Sequence, residues 1–167
     1  GYQTHTYGLS LFLPLTGTGV QKSDRFTFRS SLGTSVIFNW KITDQSSSFT
    51  EMQRCFKEFM ELRPYYYGEY YPLTSYEDMT ADDIWMVYQL HRPSDETGII
   101  VAFRREECTS DEITVRLSAL QPGATYKLTD RDSARSFYLT GEALRNGLTL
   151  KLEQPRSSLI YQYERLQ

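Results

Sequence analysis

From residue 84 to the C-terminus, apolar and polar positions alternate. Ile113, Val115 and Leu117 are separated by Thr114 and Arg116, Tyr126 and Leu128 bracket Lys127, and Leu148, Leu150 and Leu152 are separated by Thr149 and Lys151. A period of two puts one side of each segment into a core and the other toward water, which predicts half-buried strands. IWMVYQL (84–90), GIIVAFRR (98–105), SFYLT (136–140) and SLIYQYERL (158–166) complete the series. Turn chemistry lies between them: HRPSDET, Pro122-Gly123, Asp130–Ser133, Asn146-Gly147 and Gln154-Pro155. Short strands at this even spacing predict an antiparallel β-sandwich over residues 71–167.

Upstream the pattern changes. SSSFTEMQRCFKEFMELRP (46–64) carries Phe49, Met52, Phe56, Phe59 and Met60 at helical spacing, with Ser48 and Glu51 in the capping-box relation and Pro64 as a stop. One apolar face is expected there. TSVIFNW (34–40) predicts a buried strand, LSLFLPL (9–15) fits a strand or a turn of helix, and GTGV (17–20) reads as a turn. One helix with one or two buried strands is not a domain by itself. It has the form of the tail end of an α/β structure whose earlier part is absent. The fold class expected is therefore mainly β, α+β overall: a short α/β remnant with one long helix, then the sandwich.

Composition narrows the function classes. The net charge is −3, and no Lys/Arg-rich patch exists, so a nucleic-acid partner is not expected. No apolar run reaches the eighteen or so residues a membrane helix needs. The chain begins with Gly1, so a missing leader says little about compartment. A full-length protein carrying a signal peptide would be secreted or periplasmic. Cys55 is placed on the buried face or flank of the helix and Cys108 in a loop; a single bridge between them stays open.

Of the two histidines, His91 is placed in a hairpin loop as a solvated or capping residue, while His5, in QTHTYG, is a structural residue or a substrate contact. Neither has a metal-ligand spacing, and no cofactor is expected. The acidic pairs Asp82-Asp83, Glu106-Glu107, Asp111-Glu112 and Asp130 with Asp132 lie in loops and turns; none is nominated as a catalytic pair. The most unusual stretch is RPYYYGEYYPLTSY (63–76), with six tyrosines. Tyr65, Tyr66 and Tyr70 could form a stacking platform for sugars, or the stretch could be a half-buried seam between helix and sheet. The seam is favoured, because an apolar ring with a polar tip suits a half-buried position.

YQTHTYGLSLFLPLTGTGV, FRSSLGTSVIFNWKI, RPYYYGEYYPLTSY, DDIWMVYQLHRP, GIIVAFRR and LSALQPGATYKLTD, in this order, resemble the C-terminal region of melibiase-type α-galactosidases, glycoside hydrolase family 36. The resemblance implies that residues 1–70 match the last strands and final helix of a (β/α)8 catalytic barrel and residues 71–167 its C-terminal sandwich. It implies two catalytic aspartates upstream of Gly1 and none here, so the chain is expected to be structural and non-catalytic in isolation. The alternative is a carbohydrate-binding or protein-interaction sandwich. By resemblance, His5, Tyr7 and Trp40 are candidates to edge the substrate site of an intact enzyme acting on an α-galactoside. An exposed barrel remnant is expected to find a partner, another copy of the chain included.

Overall fold

The computed structural model describes residues 3, 17–20, 24–38, 49–75 and 81–167. The chain divides into two compact units, Gly1–Tyr67 and Gly68–Gln167. Ser48, LSLFLPL, His5, Tyr7 and Trp40 lie outside the described residues.

In the first unit, β1 (Gly17–Val20) pairs in parallel with β2 (Ser35–Phe38). The GTGV segment is thus a strand and not the turn its glycines suggested, because β2 supplies a partner for its backbone. A parallel pair needs a crossover of a dozen or so residues, and here the crossover carries helix α1 (Arg25–Ser30). Sequence reasoning missed α1: under two turns of helix leave no periodicity to see. Its signal is Asp24, whose carboxylate caps the helix by accepting from the Thr27 N–H at 3.1 Å.

Helix α2 (Phe49–Leu62) falls where the pattern placed it, then tightens into a 3₁₀ turn over Arg63–Tyr67. Its inward face differs from the expected one. Cys55, Glu58, Phe59 and Leu62 are buried, while Phe49, Phe56 and Met60 are 72%, 53% and 47% exposed. The helix is rotated by about a quarter turn from the most apolar orientation. The buried Glu58 carboxylate on this inward face accepts from Arg29 Nε on α1 at 2.7 Å, which pairs a charge that burial would otherwise penalise. Arg63 donates to the Thr34 carbonyl at 3.0 Å and lies over the rings of Phe59 and Tyr67.

The second unit is mainly β. Strands β3 (Glu69–Pro72), β4 (Trp85–Arg92), β5 (Thr97–Arg104), β7 (Thr125–Asp130), β8 (Ser136–Thr140) and β10 (Ser157–Arg165) form one antiparallel sheet in the order β3-β4-β5-β10-β7-β8. A two-stranded sheet of β6 (Glu112–Val115) and β9 (Leu148–Lys151), with helix α3 (Gly141–Asn146), supplies the other layer. The core holds Trp85, Val87, Ile100, Ala102, Tyr126, Leu128 and Tyr163 from the large sheet, and Val115, Leu144, Leu148 and Leu150 from the small layer. The result is a sandwich-like two-layer unit. The alternation read from the sequence survives here: Val115, Leu148 and Leu150 face in, as do Tyr126 and Leu128. Helix α3 was not anticipated; Thr140 caps it by accepting from the Ala143 N–H at 3.1 Å.

Both cysteines are buried, and neither is bridged. Burial pushes the Cys55 thiol up to about 11, against the opposing pull of Arg54. Among the described residues, no helix is long and apolar enough to cross a membrane.

Candidate functional site

The centre of the large sheet holds a buried polar cluster built around a missing side chain. Gly98 on β5 stands between His91 on β4 and Tyr163 on β10 in one cross-strand row. Neighbouring strands lie about 4.8 Å apart, so side chains two strands away normally have a third between them. With only hydrogen on Gly98, the Tyr163 hydroxyl reaches across to His91 Nδ1 at 3.0 Å, with the two rings stacked.

Gln89 completes the cluster. Its Nε2 donates to the Tyr163 hydroxyl at 2.9 Å and to the Ser118 carbonyl at 2.9 Å, and its Oε1 accepts from the Ser118 N–H at 2.8 Å. Gln89 donates to the phenol oxygen, and the phenol and His91 Nδ1 share a further hydrogen bond whose direction is set by the histidine's tautomer. An adjoining branch runs through Tyr126, which accepts from the Gln121 N–H at 3.0 Å and donates to Glu96 Oε2 at 3.0 Å.

His91 is therefore not the solvated loop residue expected from its place beside Arg92-Pro93. It sits inside β4 and is 2% exposed. The strand simply runs two residues further than IWMVYQL suggested. The chemistry available to this cluster is positional: it pins the loop around Ser118 and Gln121 to the large sheet. Its groups are sealed from solvent, so they cannot meet a dissolved substrate. The signal in the sequence was Gly98, an isolated glycine inside a strand, which marks a close approach.

Three of the acids singled out in the sequence, Asp82, Asp111 and Asp130, serve surface and turn roles. Asp82 pairs with Arg105 at 2.8 Å and Asp111 with Lys151 at 3.5 Å. Asp130 closes a turn by accepting from the Asp132 N–H at 2.9 Å and the Ser133 hydroxyl at 2.7 Å, as its sequence position implied. Among the described residues, no group of three or more His, Cys, Asp or Glu side chains could hold a metal ion.

Of the tyrosine candidates, Tyr65 and Tyr66 lie on the 3₁₀ turn of the first unit and Tyr70 on β3 of the second. Tyr66 is buried, Tyr65 and Tyr70 half-buried. The Tyr70 ring packs against Tyr88 at 5.5 Å between centroids. The neighbouring Tyr71 hydroxyl donates to Glu69 at 2.6 Å, and this bond to a carboxylate holds its phenol up at about 12. Burial also pushes up the phenols of Tyr126, Tyr161 and Tyr163.

These shifts fix a pH dependence. A phenol raised above its ordinary value of about 10 keeps its proton in the folded chain and loses it first in the unfolded one. Their contribution to stability is full below about pH 10 and falls as pH rises toward the folded values; Cys55 adds to the decline from about pH 9. We expect denaturation midpoints to hold steady to about pH 9 and then drop, with phenolate absorbance rising in step with unfolding. Tyr163→Phe is expected to flatten the drop. Phenolate absorbance for all thirteen tyrosines that follows an ordinary titration while the circular dichroism stays native would contradict this.

Compared with known proteins, the sequence matches no family model and no curated protein. Its fold does find counterparts. The galactosidase domain of the α-galactosidase–sucrose kinase AgaSK superposes with a TM-score of 0.71 at 19% identity, over 98% of this chain and 24% of that one. The GH36 α-galactosidase AgaB from Geobacillus stearothermophilus superposes with a TM-score of 0.63 at 15% identity, over 84% of this chain and 19% of that one. The chain thus spans a quarter or less of the enzymes it matches, and what it shares with them is the fold. The resemblance carried by its sequence segments is borne out at that level.

Proposed function

We propose that the chain is the closing part of an α-galactosidase-like retaining glycoside hydrolase, structural and non-catalytic by itself. In this reading residues 1–70 are the last strands and final helix of a (β/α)8 barrel, and residues 71–167 are the C-terminal sandwich. The observation that carries it is the superposition of 98% of the chain on one quarter of a galactosidase domain. Local structure supports it. The β1–α1–β2 crossover with its parallel pair is the unit from which such barrels are built. The exposed Phe49 and Met60 on α2 form an apolar stripe of the kind a longer barrel would cover.

Retaining hydrolysis needs two carboxyl groups about 5–5.5 Å apart across the sugar. The family resemblance supports a catalytic pair in a segment ahead of Gly1, and none of the acids of this chain is nominated for that role. His5, Tyr7 and Trp40 then edge the sugar site of the intact enzyme, whose substrate is an α-galactoside. Tyr65, Tyr66 and Tyr70 act as packing residues in this reading, which suits the burial of Tyr66 and the Tyr70–Tyr88 contact.

Two measurements test this. The purified chain is expected to release no nitrophenol from p-nitrophenyl α-galactoside above the uncatalysed rate; genuine turnover would overturn the placement of the carboxylates. The DNA upstream of the Gly1 codon is expected to continue in frame and encode barrel strands bearing two aspartates. An in-frame stop there, together with saturable galactose binding that Tyr70→Ala abolishes, would favour the binding-module alternative.

A further inference from the structure

Asn146-Gly147, one of the turn signals in the sequence, joins helix α3 to strand β9. Asparagine before glycine favours attack of a main-chain amide on the side-chain amide, because glycine has no side chain to block the approach and reaches the backbone angles it needs. Asn146 and Gly147 are both exposed, and among the described residues no hydrogen bond holds the Asn146 amide. A β-carbon added to Gly147 would meet only Thr114 Cγ2 among those residues, at 3.0 Å, so the space beside the glycine is otherwise open.

One bond stands in the way. The Gly147 N–H is donated to the Ala143 carbonyl at 3.0 Å, which closes α3 and ties up the nitrogen that would attack. That closure is weak. Helix α3 has six residues, too few for its turns to support one another, and helix ends fray first. The fray is bounded inside the helix: Leu144 is fully buried, and its carbonyl accepts from the Leu117 N–H at 3.0 Å. Residues 145–147 can therefore open while the rest of α3 stays docked.

We infer that Asn146 is a spontaneous modification site, gated by the C-terminal cap of α3. When the cap opens, the Gly147 nitrogen attacks Asn146 Cγ. A C–N bond forms, the Cγ–Nδ2 bond breaks, and ammonia leaves with the proton that the Gly147 nitrogen gives up. The product is a cyclic succinimide. Water then opens the ring: addition at Cγ gives aspartate, and addition at the main-chain carbonyl gives isoaspartate, whose chain runs on through Cγ. Either product puts a carboxylate at the C-terminal end of α3, against the helix dipole and four residues from Glu142. Isoaspartate also lengthens the main chain by a methylene just before Leu148, which pairs with Val115 in the β6–β9 sheet. The change runs one way, so the small layer of the second unit loosens with the age of the molecule. This site does not depend on the glycosidase reading.

The test is incubation of the whole folded chain in heavy-oxygen water at mildly alkaline pH, followed by peptide mapping by mass spectrometry, which counts only acid formed during the incubation. The other asparagine, Asn39, precedes bulky Trp40 and serves as the internal control. Heavy oxygen is expected in the tryptic peptide that begins after Arg145, as aspartate and as isoaspartate, and not at Asn39. The folded chain is expected to react about tenfold more slowly than the same chain in denaturant, the modest protection that a fraying end gives. Gly147→Ala is expected to slow the reaction about tenfold or more through its β-carbon. Thr140→Ala, which removes the N-cap of α3, is expected to speed it about threefold. Hydrogen exchange over residues 148–151 is expected to quicken as the acid accumulates. A folded chain that stays unmodified while the denatured chain converts overturns the inference. So does a rate that neither variant changes, since direct hydrolysis of the amide by water needs neither the glycine nor an open cap.

Discussion

Gly98→Ala is expected to cost more than about 3 kcal/mol of stability, and to leave the second unit largely unfolded at physiological temperature if that unit has the usual margin. A methyl group at this position would lie 2.2 Å from the Tyr163 hydroxyl oxygen, 2.3 Å from its ring carbon and 2.4 Å from the Leu90 carbonyl oxygen. The tyrosine could swing aside only by breaking its bonds to Gln89 and His91. The carbonyl belongs to the neighbouring strand and cannot swing at all. Chemical denaturation followed by tryptophan fluorescence reads the loss, since Trp85 lies in the same core. Gly98→Ala with Tyr163→Leu is expected to recover part of the loss and no more, because the carbonyl clash remains. A Gly98→Ala chain as stable as the parent would show that the His91–Tyr163 crossing is not what the glycine is for.

Arg104→Met is the second large effect, about 3–5 kcal/mol. Arg104 ends β5 and is 6% exposed. Its guanidinium donates to the carbonyls of Cys108 (2.9 Å), Thr109 (3.3 Å), Leu152 (2.8 Å) and Glu153 (2.8 Å). Two loops are thereby tied to one strand end. Trp85 adds a third tie by donating from Nε1 to the Ser110 carbonyl at 3.0 Å. Methionine keeps the stem and removes every donor, and the carbonyl of buried Cys108 loses its guanidinium partners. Arg104→Lys is expected to restore less than half, since an ammonium cannot span acceptors on two loops as a planar fork does. Hydrogen exchange should localise the loss of protection to residues 105–111 and 152–154. Equal loosening everywhere, or none, would deny Arg104 this role.

Both effects arise at residues whose roles were only half legible. GIIVAFRR reads as a strand from its apolar run, yet nothing local says that its glycine lies beneath a tyrosine 65 positions away in sequence, or that its first arginine is buried. Similarly, His91 beside Arg92-Pro93 has the local chemistry of a loop, and only its partner on β10 makes burial affordable. On α2 the periodicity identified a helix correctly but not its inward side, which carries Glu58 paired with Arg29 while Phe49, Phe56 and Met60 are exposed. The short helices α1 and α3 escaped because fewer than two turns carry no measurable period, although Asp24 and Thr140 marked their starts.

What the sequence determined by itself is what depends on neighbours within a few residues. Period two over residues 113–117, 125–130 and 148–152 set which side chains enter the core, Pro64 ended the α-helix, and Asp130 closed its turn. The ordered segments also carried the resemblance that the fold comparison bears out. Only tertiary structure decided the rest: the parallel pairing of GTGV, the strand order that sets His91, Gly98 and Tyr163 in one row, and the buried arginines. Each of these depends on a partner tens of residues away. Burial of a polar group is tolerable only once that partner is in place, and no local pattern records where it will be.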